Sequence, residues 1–213
     1  MRVSSVPLHP SNSHTQPDIT PLDQLQSPSI SPEGSEFCLG RVYWITGLSC
    51  VGKTTLGRLL CTRLRQCGRP CVHLDGDQLR DAFDNDLGHG FADRRRSARR
   101  YSGLSRMFAE QGIDVVCSTI SLFHDVQRWN RANIQNYYEI LMRAPLQVLI
   151  ARDGKGLYRG ALSGEIDDVV GIDLPAQEPE HPDIVIDNDG SQSPAALIDM
   201  LTVALGLDDG GAP

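Results

Sequence analysis

From Gly40 onward, short apolar runs alternate with longer stretches whose apolar residues recur at helical spacing. The run Arg41 to Thr46 (RVYWIT) is rich in β-formers and ends in a glycine-bearing loop, and Thr54 to Leu64 carries one apolar helical face. Strand, loop and helix are therefore predicted in that order. Cys71 to Leu74 predicts a second strand, Arg94 to Gln111 a long basic amphipathic helix, and Val115 to Thr119 a third strand after a turn at Gly112. Further on, His124 to Gln135 reads as helix, Tyr137 to Met142 as strand, and Leu146 to Arg152 as helix, with Pro145 suited to its first turn. Asp183 to Ile186 (DIVI) predicts a last strand and Pro194 to Leu205 a closing helix. The stretch from Gly154 to Glu180 is rich in Gly, Pro and charge, which predicts a lid or ordered loop over about residues 152–180. Strands alternating with helices imply an α/β fold, a parallel sheet with helices on both faces.

Residues 1–36 break this pattern. They hold six prolines, eight serines and no periodic apolar positions, too little to repay the entropy of ordering, and so predict a disordered leader. Asp18, Asp23, Glu33 and Glu36 against a single arginine, Arg2, fit a transit peptide poorly. One domain over residues 37–207 and a flexible tail over 208–213 complete the expected organisation, in keeping with a chain of 213 residues that is 40% hydrophobic.

A formal net charge of -7 argues against a nucleic-acid polymer as partner, because phosphate backbones recruit strongly basic surfaces. Small anions remain open to local arginine clusters. The six cysteines lack metal-ligand pairing and several sit in apolar runs, as reduced thiols in a cytoplasmic protein would. No stretch approaches the roughly 20 apolar residues of a membrane helix, so no membrane partner is expected; a homodimer is compatible with all of this. Of 20 basic residues only Lys53 and Lys155 are lysines. A compact, flexible point charge suits a place beside phosphates, so both invite a functional reading.

Gly47, Leu48, Ser49, Cys50, Val51, Gly52, Lys53, Thr54 and Thr55 read GLSCVGKTT, the spacing of a phosphate-binding loop between strand and helix. In such a loop glycines turn backbone N–H groups around the β-phosphate of ATP, and the following helix adds its positive end. Lys53 then reaches the β- and γ-phosphates and Thr54 offers its hydroxyl to Mg²⁺. LDGDQLR, Leu74 to Arg80, follows the second strand, and ligands of open parallel sheets bind beyond the carboxyl ends of strands. Asp75 and Asp77 are thus candidates for two tasks, holding a Mg²⁺-bound water and accepting the proton of an attacking hydroxyl; Asp75 joins Thr54 as the metal-side candidate. Turn chemistry alone would also explain an Asp-Gly-Asp. Arg94 follows Asp93 at the expected start of the basic helix, where a guanidinium could hold an anionic substrate, while Arg95 and Arg96 read as a solvated face. Lys155 lies at the foot of the expected lid, either closing over the transferred phosphate or simply solvated.

Across about residues 42–188 the chain resembles the adenylyl-sulfate (APS) kinase family. GLSCVGKTT, LDGDQLR, DLG at Asp86 to Gly88, Asp93-Arg94, the strand end Ser118 to Ser121, RDGKGLY at Arg152 to Tyr158 and VGID at Val170 to Asp173 fall in family order. The resemblance implies a P-loop NTPase/kinase fold that moves the ATP γ-phosphate to the 3′-hydroxyl of a small anionic nucleotide, adenylyl sulfate, giving PAPS. It matches Asp75 and Asp77 to an acidic pair, Arg80 and Arg94 to substrate-anion contacts, and Ser118 and Ile120 to the substrate-facing strand end. Ser121 matches a serine described as a phosphoserine intermediate; since in-line transfer needs no covalent stop, a hydrogen bond to substrate is the alternative. The departures lie on the base side. His89 and Val169 stand where the family carries two phenylalanines expected to sandwich the adenine, Ser97 stands for a substrate-contacting asparagine, and Leu122, Phe123 and His124 replace Pro-Phe/Tyr-Arg. Phe91 could supply one ring. A relative acting on another nucleotide, such as a cytidine diphosphate conjugate used in capsule modification, is the alternative, and a non-catalytic nucleotide-binding module a third.

Overall fold

The computed structural model describes residues 38–207; the expected leader and tail lie outside them. Five strands, β1 (Val42–Thr46), β2 (Cys71–Asp75), β3 (Asp114–Ser118), β4 (Tyr137–Arg143) and β5 (Ile184–Asp187), form one sheet in the order β2-β3-β1-β4-β5. Every adjacent pair is parallel. The central strands β1 and β3 are buried at every position, which is why their interiors, Val42 to Ile45 and Val115 to Cys117, read as unbroken apolar runs.

Alternation along β1 divides the core. Tyr43 and Ile45 join Leu56, Leu60 and Leu64 of α1 (Lys53–Gln66) and Leu197 and Leu201 of the closing helix α7 (Pro194–Ala204) on one face. Val42 and Trp44 pack on the other with Ala98 and Tyr101 of α3 (Phe91–Ala109) and Val126 of α4 (His124–Asn133). Each fully buried Leu or Ile contributes about 1.5–3 kcal/mol, so these two layers hold the sheet between helices. Among the described residues no helix is long and apolar enough to cross a membrane.

Three elements depart from the sequence reading. A helix α2 (Gly76–Ala82) follows β2 directly, where Asp-Gly-Asp reads as a turn; the Asp75 carboxylate caps it by accepting from the N–H groups of Asp77 and Gln78. The basic helix starts at Phe91, three residues before Arg94, with Gly90 as its cap, so Arg94 sits inside the first turn. The segment from 154 to 180 holds a further helix, α6 (Leu157–Ser163), after α5 (Leu146–Ala151). Its capping carboxylate is Asp153, which accepts from Leu157 N–H at 2.9 Å and Tyr158 N–H at 2.7 Å from outside the usual cap position. That displacement hides the helix start from sequence rules. The other ends differ from the predicted ones by one to two residues, the ordinary fraying of element ends.

Candidate active site

A cavity of about 640 Å³ opens at the carboxyl ends of the strands, with walls from the loop after β1, the β2–α2 junction, the segment after β3 and the α5–α6 connection. The β1–α1 loop is held by its carbonyl oxygens: Ser49 O accepts from Tyr158 Oη at 3.0 Å and Val51 O from Asn188 Nδ2 at 2.8 Å. Such anchoring leaves the amide N–H groups for an anion. Gly52 adopts φ 101°, and a Cβ there would stand 2.8 Å from that same Asn188 amide, so only glycine fits. Ser49, Cys50, Gly52, Lys53, Thr54 and Thr55 line the cavity. Leu48 and Val51 instead face the core, and they hold the loop by packing rather than by touching a ligand; Gly47 turns the chain at φ 146°.

Lys53, the first residue of α1, curls back to donate from Nζ to Leu48 O at 2.7 Å. Burial pushes its ammonium down to about 8. The Thr54 hydroxyl donates to Asp75 Oδ2 at 2.6 Å, while Asp75 Oδ1 serves as the α2 cap. Asp75 is 6% exposed and fixed at both oxygens. Asp77, in the first turn of α2, is free by comparison: its only partner among the described residues is Lys155 Nζ at 3.2 Å, and both side chains are largely exposed. An exposed pair of this kind contributes about 0–1 kcal/mol, so it can open cheaply. The hydrogen bond to Asp77 holds the Lys155 ammonium above its ordinary value.

The two lysines therefore meet the acidic pair at one end of the cavity, and the arginines occupy the other. Arg80 donates to Leu87 O at 3.0 Å and Gly88 O at 2.9 Å; Arg94 donates to His89 O and, at 2.9 Å, to Asp168 O. Neither forms an ion pair among the described residues. Burial and the neighbouring Arg80 guanidinium pull Arg94 below its usual range. Two guanidiniums hydrogen-bonded only to carbonyls, with Asp168 and Asp173 near Arg94 but not in contact, keep positive charge available to an anionic ligand. Arg95 and Arg99, by contrast, pair with Asp125 of α4, and Arg100 grips Asp86 with both nitrogens at 2.8 Å. Arg95, which reads as a solvated face in the sequence, thus pins α3 to α4.

His89 and Ser97 lie on the wall at the arginine end, with Ile120 at the strand-end side. Ser118 also reaches the wall, but its hydroxyl is engaged between His73 Nε2 at 3.0 Å and Lys53 O at 3.2 Å, binding β3 to α1. Ser121 is 5% exposed and its Oγ lies 2.8 Å from Thr119 Oγ1. Val169 is corrected by the structure: it is 2% exposed within the core and off the cavity wall, because the turn closed by Asp173 onto the Asp168 and Val169 amides points it inward. Val170 lines the cavity instead. Phe91 lies edge-on to Phe123, ring centroids 5.1 Å apart, and Phe123, not Phe91, lines the cavity. Sequence reasoning also missed Tyr101, Thr119, Arg152 and Ile166 on the wall. Phe123, Thr119 and Arg152 lie in or beside segments the sequence already marked, the strand end and RDGKGLY, whereas Tyr101 and Ile166 come from chain segments that only folding brings together.

A family model described as Adenylylsulphate kinase matches residues 39–187. The chain belongs to the adenylylsulphate kinase family. An adenylyl-sulfate kinase of Chloroflexus aurantiacus is 40% identical over 169 residues, covering 79% of this chain and 91% of that protein. A cytidine diphosphoramidate kinase of Campylobacter jejuni is 37% identical over 169 residues, 78% of this chain and 96% of that protein. Among solved structures, the Mycobacterium tuberculosis APS kinase CysC in complex with AMPPNP and APS aligns with a TM-score of 0.73 at 32% identity, covering 79% of this chain and 98% of that one. The family's P-loop kinase fold is the fold observed, with a five-stranded parallel sheet between helical layers.

Proposed function

We propose that this protein transfers the γ-phosphate of ATP to the 3′-hydroxyl of adenylyl sulfate. The observation that carries the reading is a single cavity in which a lysine-bearing phosphate loop faces an acidic pair at one end and two unpaired guanidiniums at the other. In this reading Lys53 leaves Leu48 O for the β- and γ-phosphates. Asp77, once Lys155 swings from it to the phosphates, orients the acceptor hydroxyl and takes its proton. Arg80 and Arg94 hold the acceptor's anionic group, and Lys155 helps exclude water over the transferred phosphoryl group. The Thr54 hydroxyl and Asp75 carboxylate, two hard oxygen donors in contact, fit Mg²⁺ and would hold it, directly or through water, where it would offset the negative charge of the phosphates. The buried Ser121–Thr119 hydroxyl pair supports a hydrogen-bonding role for Ser121 rather than a covalent one.

A second reading has a specific basis. His89 occupies a wall position where the family resemblance implies a phenylalanine, Val169 offers no ring to the cavity, and one relative bears the name cytidine diphosphoramidate kinase. The deciding experiment offers purified protein, ATP and Mg²⁺ with adenylyl sulfate or cytidine diphosphoramidate separately and compares kcat/KM. Adenylyl sulfate preferred by about a hundredfold or more excludes the second reading; preference for the cytidine conjugate overturns the first.

A further inference from the structure

His89 has the most singular surroundings of any side chain on the cavity wall. Its ring is exposed to the cavity, and neither ring nitrogen makes a hydrogen bond among the described residues. His73 and His124 differ in this: their Nε2 atoms meet Ser118 Oγ at 3.0 Å and Glu178 O at 2.8 Å. His89 also sits in the turn that both arginines clasp, since Arg80 binds the carbonyls of Leu87 and Gly88 and Arg94 binds its own. An imidazole with two unused nitrogens, on the same wall as two guanidiniums bonded only to carbonyls, can supply a further donor to an anion held there.

We propose that His89 is a specificity-determining residue of the acceptor end, donating a ring N–H to an oxygen of the acceptor's anionic group and taking up a proton as that anion binds. The inference rests on the reading that the Arg80–Arg94 end receives the acceptor. The charged groups near the ring are Arg80 and Asp77 of α2, Arg94 of α3 and Asp168 of the segment after α6. Burial comes first, then the two guanidiniums, in holding the imidazole below its ordinary value, and the two aspartates oppose them. An anion seated between the guanidiniums reverses their effect. The proton comes from solvent, so the complex holds more protons than its separate parts, and this contribution is full below the free-state value and fades as pH rises through the bound one. A phenylalanine here could only stack, whereas this histidine selects for charge and adds a donor.

The test is calorimetric titration of the full chain, loaded with Mg²⁺ and a non-hydrolysable ATP analogue so that the phosphate loop is filled. Two probes are used, adenylyl sulfate and inorganic sulfate, whose oxygens do not titrate near neutrality. Binding is measured from about pH 8 to about pH 6 in buffers of different ionisation enthalpy. Expected are net proton uptake and an affinity that tightens about threefold to sixfold over that range, as an imidazole that holds its proton about tenfold more tightly in the complex gives when only part of its titration falls inside the range. His89→Phe and His89→Asn should both abolish uptake and flatten the profile, with Asn retaining more affinity near pH 8 because it still donates. Uptake that persists in either variant, or none in the native protein, overturns the proposal. Sulfate bound with uptake while adenylyl sulfate is refused overturns the acceptor assignment under the proposed function and leaves His89 its role; refusal of both probes overturns both.

Discussion

The lysine end and the arginine end of the cavity are built on different principles. At the lysine end most groups are tied to the sheet, the exposed Asp77–Lys155 pair excepted: Asp75 is 6% exposed with both oxygens engaged, Ser118 is bonded between β2 and α1, and the loop carbonyls are anchored by Tyr158 and Asn188. At the arginine end the same class of charged side chain rests on loop carbonyls from 87 to 89 and 168. The first region is preorganised for a ligand common to many kinases, since fixed dipoles cost no reorganisation at the moment of transfer. The second leaves its donors and one histidine uncommitted, which suits recognition of a particular acceptor. One fold thus carries a fixed chemistry beside an adjustable choice of substrate.

The sharpest break of that contrast is Lys53→Ala, which should lower kcat by about 10²–10³ or more while the circular dichroism spectrum stays native. Full activity retained with either acceptor would remove the loop from the chemistry. Asp77→Asn should come next, lowering kcat by about 10²–10³ with KM for ATP little changed, because Asp77 is exposed and caps nothing. An effect confined to KM for ATP would move Asp77 to the donor side. At the arginine end, Arg94→Ala should raise the acceptor KM about tenfold to a hundredfold, the worth of a charge-assisted hydrogen bond, and leave ATP binding unaltered. Steady-state kinetics with each substrate varied in turn separates these.

Two smaller effects sharpen the comparison. Since burial pushes the Lys53 ammonium down to about 8 and neighbouring phosphates would raise it, ATP affinity should hold below about pH 8 and weaken above it. Fluorescence titration should find that slope in the native protein and lose it in Lys53→Ala. Finally, Val169→Phe should not restore a base-stacking ring: Val169 is buried, so the added bulk overpacks the core and costs about 1–3 kcal/mol by denaturant unfolding. Unchanged stability together with tighter adenylyl-sulfate binding would contradict the placement of that residue.

The sequence by itself determined the parallel α/β order, the phosphate loop and the family, because apolar periodicity and a contiguous nine-residue motif are local properties that survive without folding. It also marked both lysines, through their scarcity. It could not show that Asp75 caps a helix, since turn and cap use the same residue types and only the following chain decides between them. Nor could it tell Val169 from its neighbour Val170: two identical side chains in sequence face core and cavity according to one turn, closed by Asp173 from four residues away. The arginines show the same division. In the sequence Arg94 is set apart from Arg95 only by its place after Asp93, and Arg95 reads as solvated; in the structure Arg95 has a carboxylate on α4 to meet and Arg94 has carbonyls alone. Whether an arginine meets a carboxylate or only carbonyls depends on which elements the sheet brings alongside, and so only the tertiary structure could make Arg95 a brace between α3 and α4 and leave Arg94 without an ion pair among the described residues.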